Sequence, residues 1–228
     1  MSVLASALAV AACGGGDAGP PLVLGEDHRG QYHLGPVEWA GSFNNACSPY
    51  PASIQQLEGS LLAGVAVELG GDGSYCDACI QIDTDRGKSV IARVVTYGVS
   101  QAAGDLDVSQ AVFDRIHEGE FPRMMTWRLV TCPVAEPLYL QFQTGAHEYW
   151  TSFWVRNSSV AVAGVEVVSA NHAQPFALRR GPDGTFNDDS GFGRGAFTVT
   201  VTGIDGSRFE QRFDGFRGGD LLRASGNL

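Results

Sequence analysis

The stretch GDLDVSQAVFDRI, Gly104 to Ile116, changes character in its middle. Asp105 and Asp107 flank Leu106, so in an extended chain both carboxylates project to the same side. From Gln110 the spacing becomes helical: Val112 and Ile116 stand at i and i+4 on one face, and Ser109 or Asp107 is placed to cap the start. A carboxylate pair on one side of a strand can hold a sugar, polarise a water or act as a general acid. The plainer alternative is that Asp107 only caps the helix.

Around this stretch, from about Gly30 to Pro133, the apolar runs are short and irregular: LLAGVAVEL, CIQI, SVIARVV and TWRLVTC. Together with one helix they predict a barrel with a helix laid on it. Trp127 and Phe113 sit among alternating apolar residues and are assigned to the barrel core. After CPVAEPLYLQF the texture changes to clean alternation in LYLQFQ, YWTSFWV, VAVAGVEVV, PFALRR, AFTVTVTGI and SRFEQRF. Six short strands at this spacing predict an immunoglobulin-like sandwich. The chain is therefore expected to be mainly all-β: a barrel over residues 30–135 and a sandwich over 136–228. The Gly-rich runs GFGRG and FRGG lie between no strand and phosphate-binding helix and are read as turns.

Lys and Arg number 15 against 25 Asp and Glu, a formal net charge of −10, which argues against a nucleic-acid partner and favours a neutral polymer. Residues 1–29 read as the end of an export signal with a linker. Val10-Ala11-Ala12-Cys13 resembles a lipoprotein box in which Cys13 is lipidated, and the basic start of such a leader is expected upstream. An exported or cell-surface chain would pair Cys47, Cys76, Cys79 and Cys132, and spacing alone permits three connectivities. Cys76-Asp77-Ala78-Cys79 could instead be half a zinc site, but the five histidines are scattered, so disulfides are favoured and neither metal nor cofactor is expected.

EYWTSFWVRNS, Glu148 to Ser158, carries more rings than one strand needs for a core. Alternation puts Thr151, Phe153 and Val155 on one face and Trp150, Ser152 and Trp154 on the other. Read with NNACSPY, SYCDAC, SVIARVV, GDLDVSQAVFDRI and TWRLVTCPV before it and LRRGPDGTF after it, in this order, the chain resembles the expansins and bacterial expansin-like proteins. The resemblance covers about Gly30 to Phe213. It implies a double-psi β-barrel followed by an immunoglobulin-like carbohydrate-binding domain, a monomer that binds and loosens cellulose or a related β-glucan without hydrolysis. Tyr149 and Trp150 would be the aromatic platform, with Trp154 either extending it or filling the interface between the domains. Asp107 would be the essential barrel aspartate, with Tyr97 and Asp105 in the same groove. The family order also implies the pairings Cys47–Cys76 and Cys79–Cys132.

The departures from that pattern bear on mechanism. The second groove aspartate of the family is expected at Val95, its groove threonine at His33, and its third platform aromatic at Pro182 or Asp183, next to Phe186. An inverting hydrolase needs two carboxyls roughly 6.5–9.5 Å apart across the scissile bond. With Val95 in place of one carboxylate, the protein is expected not to be an enzyme. The alternative reading is a lytic barrel enzyme, a peptidoglycan transglycosylase or endoglucanase, with Asp107 as general acid. A third reading is a protein inhibitor, which Tyr149 and Trp150 argue against.

Overall fold

The structure, a computed structural model, describes residues 21–35, 45–47, 49, 61–98 and 102–228. Cys13 and the leader up to residue 20 lie outside the described residues. Six strands, β1 (His28–Leu34), β2 (Leu62–Ala66), β3 (Cys79–Thr84), β4 (Ser89–Gly98), β5 (Leu106–Val108) and β6 (Met124–Val130), close in the order β1-β5-β2-β4-β3-β6. The β1–β5 and β2–β4 pairs are parallel. This is a double-psi β-barrel, and closure removes the exposed edges that an open sheet would present. Alternation fills its interior with Tyr32, Ile80, Ile82, Val94, Leu106 and Trp127. The Trp127 indole donates to the Gly104 carbonyl at 2.8 Å, which answers its one polar atom inside the core.

α1 (Val67–Gly70) follows β2, and α2 (Gln110–Ile116) lies on the barrel with Val112 and Ile116 buried. Ser109, whose hydroxyl accepts from the Val112 amide, is the α2 cap. Asp107 belongs to β5 and does not cap the helix. Residues 22–29, read above as linker, instead run along the barrel: Leu24 donates to the Leu129 carbonyl at 2.8 Å, and β1 already begins at His28. At the end of β1 the buried Tyr32 hydroxyl donates to Glu120, with His117 Nδ1 3.5 Å from the same carboxylate. That hydrogen bond holds the Glu120 carboxyl down at about 2, against burial, which opposes it.

Cys47 bonds to Cys76 and Cys79 to Cys132, so the two ends of Cys76-Asp77-Ala78-Cys79 reach distant partners. The pairing ties the loop before β2 to the turn before β3, and β3 to the end of the barrel.

Two antiparallel sheets follow. One has the order β11 (Arg179–Arg180), β12 (Phe186–Asp188), β8 (Thr151–Arg156), β7 (Tyr139–Phe142), β15 (Leu221–Arg223). The other is β10 (Phe176–Ala177), β9 (Val162–Val168), β13 (Phe197–Gly203), β14 (Arg208–Phe213). Phe142, Phe153, Phe186, Phe192 and Phe197 interdigitate between them. β10 to β12 and β15 are two or three residues long and arise from partners on either side rather than from their own periodicity.

The sandwich meets the barrel through Arg156, the last residue of β8. Its side chain is 0% exposed; Nη1 lies 2.5 Å from Asp77, Nη2 donates to the Cys47 and Pro49 carbonyls, and Nε to Gln141. Beside it Tyr139 covers Leu62, Val95 and Cys47. A second contact is backbone on backbone. Gly73 (φ +78°) has no room for a Cβ, which would fall 2.4 Å from the Gly181 carbonyl oxygen, and one on Gly184 (φ +81°) would fall 2.5 Å from Cys76 Cβ.

Candidate functional site

Four neighbouring strands put one row of residues on the outer wall of the barrel. His33 pairs with Asp107, Asp107 with Gly64, and Gly64 with Thr96. Their neighbours Leu106 and Val65 point inward, so the row faces out by the two-residue period of the strands. A Cβ on Gly64 would stand 2.7 Å from Thr96 Cγ2, and one on Gly35 would stand 2.5 Å from Asp107 Cβ. Glycine on both sides therefore lets this half-buried carboxylate lie in a shallow trough with Thr96 beyond it.

Asp105, the residue just before β5, has a different role. It accepts from the Gln31 amide at 2.7 Å, and His33 Nε2 stands 3.6 Å from its other oxygen. His33, Asp105 and Asp107 are thus brought together. Tyr97 falls one position along, paired with Val65 and packed against Gly70; burial, then Asp183 and Asp72, push its hydroxyl pKa up. The residue across Gly64 from Asp107 is Thr96, because a register shift between Ala63 and Gly64 displaces β4 by one residue. Val95, at that shift, is fully buried beneath Tyr139, so its apolar character is a requirement of the seam between the two halves.

The aromatic residues take three different places. Tyr149 is 67% exposed. Trp150 is half-buried against the sandwich core. Trp154 is only 4% exposed; its indole donates to the Asp183 carbonyl at 3.0 Å, and the Arg156 guanidinium lies 4.9 Å over its ring. Trp154 nonetheless lines a cavity of about 420 Å³ with Pro49, Gln141, Gln143 and Asp183. The anchor that holds this ring is Asp183, a position at which the resemblance implies a third aromatic.

These places are contiguous. The Ala46 amide donates to Thr96 Oγ1 at 3.0 Å, so the segment that carries Cys47 starts at the Asp107 row. Pro49 reaches the Trp154 cavity, where its carbonyl accepts from Gln141. Gly145 closes the far wall of that cavity and approaches the Trp150 ring, beside Tyr149. Sequence reasoning missed Thr96, Gly64, Gly35 and Gln141; the only trace of them was glycine inside a strand pattern, a sign of close approach.

No family model matches the chain. Two curated proteins of Dictyostelium discoideum are similar to it. Expansin-like protein 6 is 23% identical over 155 residues, 64% of this chain and 53% of that protein. Expansin-like protein 3 is 24% identical over 148 residues, 59% and 44% of the two chains. The chain spans about half the length of these relatives. Among solved structures, an expansin from Clavibacter michiganensis is similar at TM-score 0.71 and 18% identity, over 89% of this chain and 97% of its own. A mutant of that expansin in complex with cellohexaose is similar at TM-score 0.72 and 18% identity, over 89% and 98%. These structural likenesses speak for the fold.

Proposed function

We propose, for a chain that is expansin-like in sequence and in fold, that it binds cellulose or a related β-glucan outside the cell and loosens it without hydrolysis. The observation that carries this reading is the continuous path from Asp107 and Thr96, past Pro49 and the Trp154 cavity, to Trp150 and Tyr149. Flat rings stack on the apolar faces of pyranose units, and Tyr149 offers its ring to solvent. Gln141 and Gln143 along the cavity supply donors and acceptors for hydroxyls. Asp107 accepts a hydroxyl of the glucan in the trough between Gly35 and Gly64. A chain held along this surface is withdrawn from contact with its neighbours in the polymer, which is how binding alone loosens a network.

Two features support a non-hydrolytic role. Among the described residues the carboxylates at this row are Asp107 on β5 and Asp105 two residues before it, both beside His33, whereas glycoside hydrolysis needs carboxyls that flank the bond. Asp105 is also committed to a backbone amide. The two disulfides suit an exported monomer, with Cys13 as its lipid anchor. Incubation with microcrystalline cellulose should deplete the protein from solution while reducing sugar ends stay at the level of the blank. Reducing ends that rise with time, and stop rising in Asp107→Asn, would establish the lytic reading instead.

A further inference from the structure

The two Gly-rich runs that read as turns in the sequence meet in the fold. Residues 193–195 and 215–218 close around Ala146–Glu148 to form a groove of about 320 Å³ at the end of the sandwich, next to Tyr149. Backbone makes its floor: a Cβ on Gly218 would fall 2.2 Å from the Thr144 carbonyl oxygen, and one on Gly215 would reach within 3.6 Å of the Gly195 oxygen. Phe216, stacked on Phe142 with ring centroids 4.3 Å apart, gives it an apolar wall.

Its polar groups stand next to one another. The Tyr149 amide donates to His147 Nδ1 at 3.2 Å, so the neutral ring carries its proton on Nε2 and presents a donor. Arg194 Nε donates to Glu148 at 3.1 Å, a single contact on an otherwise exposed side chain. Its own backbone amide and Arg194 keep the Glu148 carboxyl below the usual range. A carboxylate flanked by N–H donors matches a vicinal diol, in which one hydroxyl donates to the acid while the next accepts from the cation.

The charge count selects the sugar. Arg194 and Arg217 are offset by Glu148 and by Asp220, which accepts the Arg217 amide at 2.7 Å. With these charges cancelled, the groove offers a uronate no net attraction to repay the desolvation of its carboxylate, a cost that a neutral ring does not carry. Resting on the binding reading above, we propose that this groove is a further subsite that holds one neutral hexopyranosyl unit of the glucan beyond Tyr149, by its vicinal hydroxyls.

The test is amide and indole NMR of the full chain titrated with cellohexaose, then with trigalacturonate. The expected result is that the Gly193, Gly195 and Gly218 amides shift together with the Trp150 indole, that trigalacturonate moves none of them, and that Glu148→Gln weakens cellohexaose binding about tenfold. If the Trp150 indole shifts while the glycine amides stay still and Glu148→Gln binds like the parent, the groove proposal is overturned and the platform stands. Glycine shifts without the indole would keep the groove and sink the platform. If cellohexaose moves neither, both fall, and if trigalacturonate alone shifts the glycines the neutral-sugar assignment is wrong. Should Glu148→Gln unfold, Arg194→Gln, on an exposed side chain, makes the same measurement by removing the cation beside Glu148.

Discussion

The two ends of β8 are the same strand put to opposite uses. At Arg156 every nitrogen of a fully buried guanidinium finds an oxygen, and the partners come from the barrel as well as the sandwich. Just before Thr151, Tyr149 holds a large ring two-thirds in water. Contacts completed within the chain contribute to stability, whereas a surface left incomplete keeps its free energy for a ligand. Substitutions at the two ends should therefore separate cleanly between melting temperature and affinity.

Arg156→Ala should show the largest effect. It strands the Asp77 carboxylate in the seam and should cost about 3–5 kcal/mol of unfolding free energy, read by denaturant titration. Arg156→Lys should recover only part, because one ammonium cannot reach four acceptors in a plane. If Arg156→Ala instead lowered glucan affinity with stability intact, the contrast along β8 would collapse.

Tyr32→Phe probes a second completed contact. It should cost about 1–3 kcal/mol at neutral pH, since Glu120 loses its hydroxyl donor and keeps only the Glu118 amide at its other oxygen. The sign with pH follows from Glu120, whose carboxyl titrates at about 2 in the fold against 4.5 ordinarily. The unfolded chain binds the extra proton between these values, so this contribution is complete above about 4.5 and is lost as pH falls toward 2. Melting temperature measured across that window should slope less in Tyr32→Phe than in the parent.

Tyr149→Ala should leave unfolding within about 0.5 kcal/mol and weaken binding to insoluble cellulose about tenfold, with little dependence on added salt. Trp150→Ala makes a less clean test, because Trp150 also packs on the sandwich core. Asp107→Asn should also leave stability nearly unchanged, within about 0.5 kcal/mol, and should abolish loosening of a cellulose network measured by extension under load. Full extension activity in that variant would remove Asp107 from the function.

What could be read from the sequence depended on whether its cause was local. Val112 and Ile116 share a buried helix face because helical spacing requires it four residues apart, and Ser109 caps that helix for an equally local reason. Val95 was misleading because its burial depends on Tyr139, more than forty residues away, and Thr96 was hidden by a register shift that no periodicity announces. Nothing local in the sequence marks Arg156, because the partners that make it central are distant in sequence. The same applies to GFGRG and FRGG, each a turn by itself and a groove only in each other's presence.

The Gly73–Gly184 contact and the Arg156 clamp have a consequence for long polymers. They fix the span between the Asp107 row and Tyr149, so a chain captured at one is presented to the other at high effective concentration, with no linker to order. Avidity should then appear as a step in chain length: oligosaccharides too short to cover the span bind with the strength of one contact, and those just long enough bind far more tightly. A flexible tether between the halves would have smeared that threshold into a gradual rise. On the binding reading proposed above, the fixed joint would make the protein a gauge of uninterrupted glucan length.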